Sequence, residues 1–117
     1  MPEGEELDLV TVEDFHKLDL RSGQVIQVEE VRDARRPSYS LTIDFGQQIG
    51  TKRSVAQVTN YSRDELRGTM VIAVVNLPPR KIAGVRSEVL VLGVKDLGGE
   101  VSLLTPLRPA RPGEHVF

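Results

Sequence analysis

Short segments rich in β-branched residues, each ended by glycine or proline, constrain the fold of this chain more than any other sequence feature. Leu41–Phe45 alternates apolar and polar residues before Gly46, and Met70–Leu77 is a mostly apolar run that ends at Pro78. β-Branched side chains suit a pleated surface, whereas glycine and proline interrupt strands. The pattern predicts an all-β domain of five or six short strands.

The segments follow one another through short connections. We expect strands over 21–31, 41–45, 52–59, 70–77, 89–94 and 101–104, helices over 12–18 and 62–68, a turn over 47–50, a basic connection over 80–87 and an extended tail over 105–117. Thr11 and Ser62 are the candidate helix N-caps, each with an acid three residues later. Gly23 predicts a bulge or bend in the first strand. A helix between the third and fourth strands is typical of a five-stranded, Greek-key OB-fold barrel, and other small barrels stay open.

The sequence gives little support for catalysis. It contains no cysteine, and its two histidines, His16 and His115, lie near opposite ends of the chain. Neither a thiol nucleophile nor a two-histidine metal site is therefore supported. Ser54 and Ser87 have no neighbouring histidine, and no phosphate-loop pattern is present. We expect no enzyme activity, no cofactor and no metal.

Charge is unevenly distributed along the chain. Residues 1–14 hold six of the 17 acidic residues and no base, so the remaining chain carries 15 bases against 11 acids. We interpret residues 1–10 as an acidic N-terminal lead and 11–117 as a single domain. The lead has no apolar core typical of a secretory signal, and no apolar run approaches the roughly 20 residues of a membrane span. We therefore expect a cytoplasmic protein without membrane insertion.

Three groups of basic residues lie in connections or at a strand start. They are Arg80, Lys81 and Arg86; Lys52 and Arg53; and Arg32, Arg35 and Arg36. If the three groups converge at one end of a barrel, they form a cationic surface suited to phosphates. The alternative is that the charges are scattered around the barrel in contact with water.

Residues 74–93, VVNLPPRKIAGVRSEVLVLG, resemble the signature of the tRNA-binding-domain family. That OB-fold module is appended to aminoacyl-tRNA synthetases and also occurs as free-standing dimers. Residues 15–23 resemble the opening of the family domain, and 44–46 with 54–58 resemble its second and third strands. The resemblance extends from about residue 13 to the end of the chain.

Within this family, residues 35–39, 43–46 and 76–84 are similar to the CsaA-type subgroup, described as secretion-related chaperones. Typical tRNA-binding members carry a Pro-x-Ala-Asp-Lys-Leu segment in the first loop, whereas 33–41 has no such lysine. The resemblance implies a homodimer with an interface formed by terminal arms. The candidate interface residues are Phe15, Leu18, Leu107, Val116 and Phe117. The alternative is that the arms fold back on their own barrel.

The resemblance implies a non-catalytic chaperone that binds unfolded or pre-secretory polypeptide, with tRNA as a further candidate ligand. A tRNA-binding accessory protein is the alternative, and an interaction module with neither ligand is a third. Ser87 and Glu88 match a Ser-Glu/Gln position beside the nucleic-acid surface of the family. The candidate binding residues are Arg35, Arg36, Lys52, Arg53, Gln57, Asn76, Arg80, Lys81, Arg86, Ser87 and Glu88.

Overall fold

The structure, a computed structural model, describes residues 7–117. In this part of the chain the elements are, in order, α1 (Val12–His16), β1 (Leu20–Glu30), β2 (Tyr39–Asp44), α2 (Gly46–Ile49), β3 (Thr51–Ala56), α3 (Arg63–Leu66), β4 (Met70–Val74), β5 (Arg80–Ile82), β6 (Val85–Ser87), β7 (Leu90–Val91), β8 (Gly93–Lys95) and β9 (Val101–Leu103). Of the predicted acidic lead, 1–6 lies outside the described residues, and 7–10 has no regular secondary structure.

Five antiparallel strands in the order β3-β2-β1-β4-β7 form the main sheet. The long strand β1 pairs with β4 through Leu20–Gln24 and with β2 through Gln24–Glu30. Its register against β2 shifts between Val25 and Gln27, where a bulge lets the strand bend. Together with α3 between β3 and β4, this arrangement is an OB-type barrel. The predicted fold class is confirmed.

Aliphatic side chains, Phe45 and Tyr39 form the buried core of the barrel. The largest fully buried apolar residues are Phe45, Leu41, Ile43, Leu66, Val25 and Val71. Burying a side chain of this kind contributes about 1.5–3 kcal/mol relative to leaving it in water. The barrel interior therefore supplies the main driving force for folding.

Gly23 allows β1 to pass directly over the core. A Cβ atom at this position would lie 2.6 Å from Ile43 Cγ2 and 2.6 Å from Phe45 Cε1. The predicted bulge does not lie at Gly23, because the register shift falls between Val25 and Gln27. The glycine is explained by close approach to Phe45.

Both predicted helices are present, and each begins with a capping box. Asp14 N donates to Thr11 Oγ1, and Glu65 N donates to Ser62 Oγ, each at 3.1 Å. Hydrogen bonds from Lys17 and Thr11 hold the pKa of Asp14 below its ordinary value of 3.8. The helix α1 ends at His16, two residues earlier than predicted. The predicted turn over 47–50 falls largely within the single helical turn of α2.

Residues 80–87, predicted as a connection, form the antiparallel hairpin β5–β6. The hairpin turns through Ala83 and Gly84, whose φ angles are 50° and 80°. Two consecutive residues with positive φ form the type I′ turn that matches strand twist. Gly84 adopts this conformation freely, whereas Ala83 does so at a steric cost.

The single strand predicted over 89–94 is two strands with different partners. Leu90–Val91 pairs with β4, and Gly93–Lys95 pairs with β9 in a separate hairpin. The change occurs at Leu92, whose N–H donates to Ile72 O while its carbonyl accepts from Leu104 N. The chain thus leaves the barrel at Leu92 and extends as the hairpin β8–β9.

The C-terminal segment lies along the half of β1 that β2 leaves uncovered. Gly113 N donates to Ser22 O at 2.7 Å, Ser22 N donates to Glu114 O at 3.0 Å, and Val116 N donates to Leu20 O at 2.9 Å. This part of the predicted arm therefore folds back on its own barrel. Within residues 7–117, no helix has the length and apolar character needed to cross a membrane.

Candidate binding groove

The hairpin β5–β6 carries its basic residues on two different faces. Arg80 is paired with Ser87, and Lys81 is paired with Arg86. Because side chains alternate along a strand and paired residues share a face, Arg80 and Ser87 lie on one face and Lys81 and Arg86 on the other. The structure thus separates the basic group predicted over 80–86 into two parts.

Ser87 and Glu88 attach this hairpin to the free edge of β3. Val55 N donates to Ser87 Oγ at 3.0 Å, and Arg53 N donates to Glu88 Oε1 at 3.2 Å. In return, Glu88 N donates to Arg53 O at 2.8 Å. Ser87 is buried, so its hydroxyl supports the hairpin from inside the molecule. Both residues have a positioning role, whatever further contact they make with a ligand.

A pocket of about 550 Å³ lies between β3, the hairpin β5–β6 and the hairpin β8–β9. We call it the apolar compartment, because aliphatic side chains make up most of its wall. It is lined by Ser38, Ser54, Val55, Ala56, Gln57, Val58, Arg80, Ile82, Leu90, Val91, Gly93, Val94, Lys95, Val101 and Leu103. Arg80 and Lys95 are its two cations, and both are exposed.

A second pocket of about 420 Å³ adjoins the first and shares Ser38, Gln57 and Ile82 with it. We call it the cationic compartment, and the two together the groove. The other lining residues are Asp33, Ala34, Arg35, Arg36 and Ala83. The loop that carries the arginines is held by Ser38, whose Oγ donates to Arg36 O at 2.9 Å.

The cations of the groove have no acidic partner in the part of the chain that the structure describes. Arg35, Arg36, Arg80 and Lys95 form no ion pair within residues 7–117. Asp33 is the acidic residue in the groove lining. The groove therefore combines an apolar wall with cations whose hydrogen-bond donors face water, a combination suited to a ligand with apolar and anionic groups.

Three other predicted binding residues, Lys52, Lys81 and Arg86, lie outside the groove. Lys52 Nζ lies 3.9 Å and Arg86 Nε 3.8 Å from Glu88 Oε2. Lys81 lies opposite Arg86 on the hairpin. We call Lys52, Lys81 and Arg86 the outer cluster. Its contacts to Glu88 are long and partly exposed, so they leave the cations largely available to another anion.

Asn76 is separated from both sites. Its Nδ2 donates to Lys17 O at 2.8 Å, and its Oδ1 accepts from Asp19 N at 2.8 Å. The side chain thus attaches the segment after α1 to the end of β4. Both polar groups of the amide are occupied by these contacts.

Of the predicted binding residues, the groove brings together Arg35, Arg36, Gln57 and Arg80. Sequence reasoning missed Lys95, Val94 and Val101, which line the apolar compartment from β8 and β9. The sequence signal for these residues was the pair of predicted strands over 89–94 and 101–104, but no local pattern showed that these strands face β3. Arg53 is exposed on β3 between Lys52 and Ser54, outside both compartments.

The predicted interface residues lie in differing environments. Leu107 and Phe117 are fully exposed, Phe15 and Leu18 are about two-fifths exposed, and Val116 is half-buried. An apolar pocket of about 540 Å³ lies beside the C-terminal segment, with Phe117 in its lining. Among residues 7–117, no three His, Asp or Glu side chains cluster as a metal site would require.

The amino-acid sequence matches one protein-family model and is similar to part of several curated proteins. The family model described as "Putative tRNA binding domain" matches residues 20–115. Methionine--tRNA ligase from Methanoculleus marisnigri is 37% identical over 112 residues, which cover 94% of this chain and 16% of the ligase. The corresponding ligase from Archaeoglobus fulgidus is 35% identical over 118 residues, which cover 97% of this chain and 17% of the ligase. The chain thus spans about one sixth of the length of these relatives.

Solved structures match the fold along nearly its whole length. The CsaA chaperone protein from Picrophilus torridus is 47% identical with a TM-score of 0.89, covering 93% of this chain and 100% of that one. The chaperone CsaA from Bacillus anthracis is 44% identical with a TM-score of 0.86, and the match covers 94% of this chain and 100% of that one. The family match and these neighbours agree, and the chain belongs to the tRNA-binding-domain family.

Proposed function

We propose that this protein is a non-catalytic chaperone that captures unfolded or pre-secretory polypeptide in the groove. The observation that carries the proposal is the aliphatic wall of the apolar compartment beside Arg35, Arg36 and Arg80, none of which has an acidic partner within residues 7–117. Structural similarity to two proteins named as CsaA chaperones supports it.

Capture in this mechanism is passive. Apolar side chains of the bound polypeptide leave water in the apolar compartment, at about 25 cal/mol per Å² of apolar surface buried. Nearby cations and Gln57 hold polar groups of the same segment by hydrogen bonds. Release follows from dissociation alone, so no nucleotide hydrolysis or covalent step is required.

We further propose that the protein acts as a cytoplasmic homodimer. Leu107 and Phe117 expose their whole side chains at the C-terminal arm, and Phe15 and Leu18 expose part of theirs near the N-terminus. A two-fold interface would bury these residues and place two grooves in one particle. Two grooves raise the avidity for a long unfolded chain without any new contact.

The outer cluster favours a second function, binding of tRNA as an accessory protein. Lys81 and Arg86 share a hairpin face, and Lys52 reaches the same carboxylate as Arg86. Two exposed cations, Lys81 and Arg86, beside the partly buried Lys52 suit phosphate oxygens. The family description and the methionine--tRNA ligases among the relatives support this candidate.

The test is a parallel titration of an unfolded polypeptide and a tRNA at about 50 and 200 mM salt. Because phosphate binding releases counterions, tRNA affinity should fall steeply with salt, whereas polypeptide affinity, which depends mainly on apolar contacts, should fall only weakly. Lys81→Gln with Arg86→Gln should weaken tRNA binding and leave polypeptide binding intact. Absence of polypeptide binding at both salt concentrations would refute the chaperone function, and unchanged tRNA affinity in the double variant would refute the role of the outer cluster.

A further inference from the structure

The two compartments form one continuous groove with chemically different ends. They share Ser38, Gln57 and Ile82, so a ligand that fills one reaches the entrance of the other. Beyond this shared boundary, one end is aliphatic, and the other carries Arg35 and Arg36. A ligand that uses the whole groove must therefore present an apolar group and an anionic group side by side.

An extended polypeptide matches the shape of this site. The strand β5 lines both compartments through Arg80, Ile82 and the adjoining Ala83, and among the described strands its one hydrogen-bonded neighbour is β6. The opposite edge of β5 is thus free of a strand within residues 7–117. Free strand edges bind extended peptides through backbone hydrogen bonds, while pockets beside the edge select side chains.

The charge of the groove decides which peptides it selects. Arg35, Arg36, Arg80 and Lys95 outnumber the single acid, Asp33, and none of the four cations forms an ion pair among the described residues. A carboxylate entering the cationic compartment gains charge-assisted hydrogen bonds, which are roughly twice as strong as neutral ones. A lysine in the same place meets like charge and is disfavoured.

We infer that the groove selects extended peptide segments in which acidic side chains lie beside apolar ones, and discriminates against basic segments of equal hydrophobicity. This inference rests on the proposed chaperone function and specifies its substrate class. The apolar side chains occupy the compartment between β3 and β8, and the acidic side chains contact Arg35 and Arg36.

The experiment uses three labelled, unstructured peptides that differ only in charge. Each carries the same leucines, flanked by glutamates in the first peptide, glutamines in the second and lysines in the third. Fluorescence anisotropy gives the affinity of each for the wild type, for Arg35→Gln with Arg36→Gln, and for the control Arg63→Gln with Arg108→Gln. The four arginines are exposed, so neither double variant should disturb the fold.

We expect the wild type to bind the glutamate peptide about tenfold tighter than the glutamine peptide, equivalent to about 1.4 kcal/mol, and the lysine peptide most weakly. The Arg35 and Arg36 variant should bind glutamate and glutamine peptides alike, while the control keeps the preference. Equal affinity of the wild type for all three peptides, or a preference that survives in the Arg35 and Arg36 variant, would overturn the inference while leaving capture itself intact.

Two other outcomes separate the inference from the proposed function. If none of the peptides binds and an unfolded protein does not bind either, the chaperone function itself fails. If tRNA displaces the glutamate peptide from the wild type, and the Arg35 and Arg36 variant loses tRNA affinity, the cationic compartment is a phosphate site. That second result would also overturn the peptide selectivity proposed here.

Discussion

Ser87 Oγ accepts a hydrogen bond from Val55 N–H at 3.0 Å and thereby joins the hairpin β5–β6 to the edge of β3. Val55 lines the apolar compartment, and Ser87 is paired with Arg80, which also lines it. The contact therefore sets the distance between two walls of the groove. It also satisfies a backbone donor at the edge of the barrel.

Replacement of Ser87 by alanine should destabilise the protein by about 1–3 kcal/mol, because it leaves the Val55 N–H without its partner. Urea unfolding followed by circular dichroism measures the change. Ser102→Ala is the matched control, since the Ser102 hydroxyl makes no hydrogen bond to residues 7–117 and its loss should have little effect. Equal stability of the two variants would show that the contact contributes nothing.

Replacement of Gly23 by alanine should cost about 1–3 kcal/mol or more, because the new methyl group overlaps Ile43 and Phe45 in the core. Gly98→Ala is the control, because its Cβ would meet only Asp96 Oδ1, at 3.4 Å. Thermal unfolding should show a lower midpoint for Gly23→Ala alone. Similar midpoints would contradict the close approach of β1 to Phe45.

Replacement of Asn76 by alanine should loosen the segment after α1, because it removes the contacts to Lys17 O and Asp19 N. We expect faster amide hydrogen exchange over residues 12–19 and no change in affinity for peptide or tRNA. Asn60→Ala is a control that loses a different amide contact, the one to Val101 O. A weaker affinity with unchanged exchange would instead assign Asn76 to ligand binding.

The double replacement of Leu107 and Phe117 by serine should convert a dimer into a monomer without loss of stability, because both side chains are fully exposed in the single chain. Light scattering coupled to size-exclusion chromatography gives the mass. Leu97→Ser removes an equally exposed leucine from the β8–β9 hairpin and should leave the mass unchanged. A monomeric wild type would refute the proposed homodimer.

Local sequence signals predicted the helices well. Each capping box joins two residues that are three positions apart. The local patterns that begin at Thr11 and Ser62 are therefore sufficient to predict where the two helices start. The strand pattern also predicted the barrel, since alternation and breakers act within a few residues. The hairpin over 80–87 was missed, because its turn places Ala83 rather than Asn or Asp at a positive φ.

The candidate site was less predictable, because it depends on contacts between distant parts of the chain. Asn76 contacts partners 57 and 59 residues away, which no local pattern reveals. The groove joins β3, β5 and β8, so Lys95 becomes part of it only when the barrel has formed. The sequence placed Arg80 in one basic group with Lys81 and Arg86, but it could not show that Lys81 and Arg86 lie on the other face of the hairpin.

Chemical-shift mapping of the labelled protein with an unfolded polypeptide tests the central claim most directly. The account predicts that the amides of 54–58, 80–83 and 93–95 shift together on titration, since these segments line the groove. Residues 63–66 of α3 lie outside the groove and should stay unchanged. Shifts confined to the termini, or to Lys52 and Arg86 of the outer cluster, with the groove unaffected, would contradict the account.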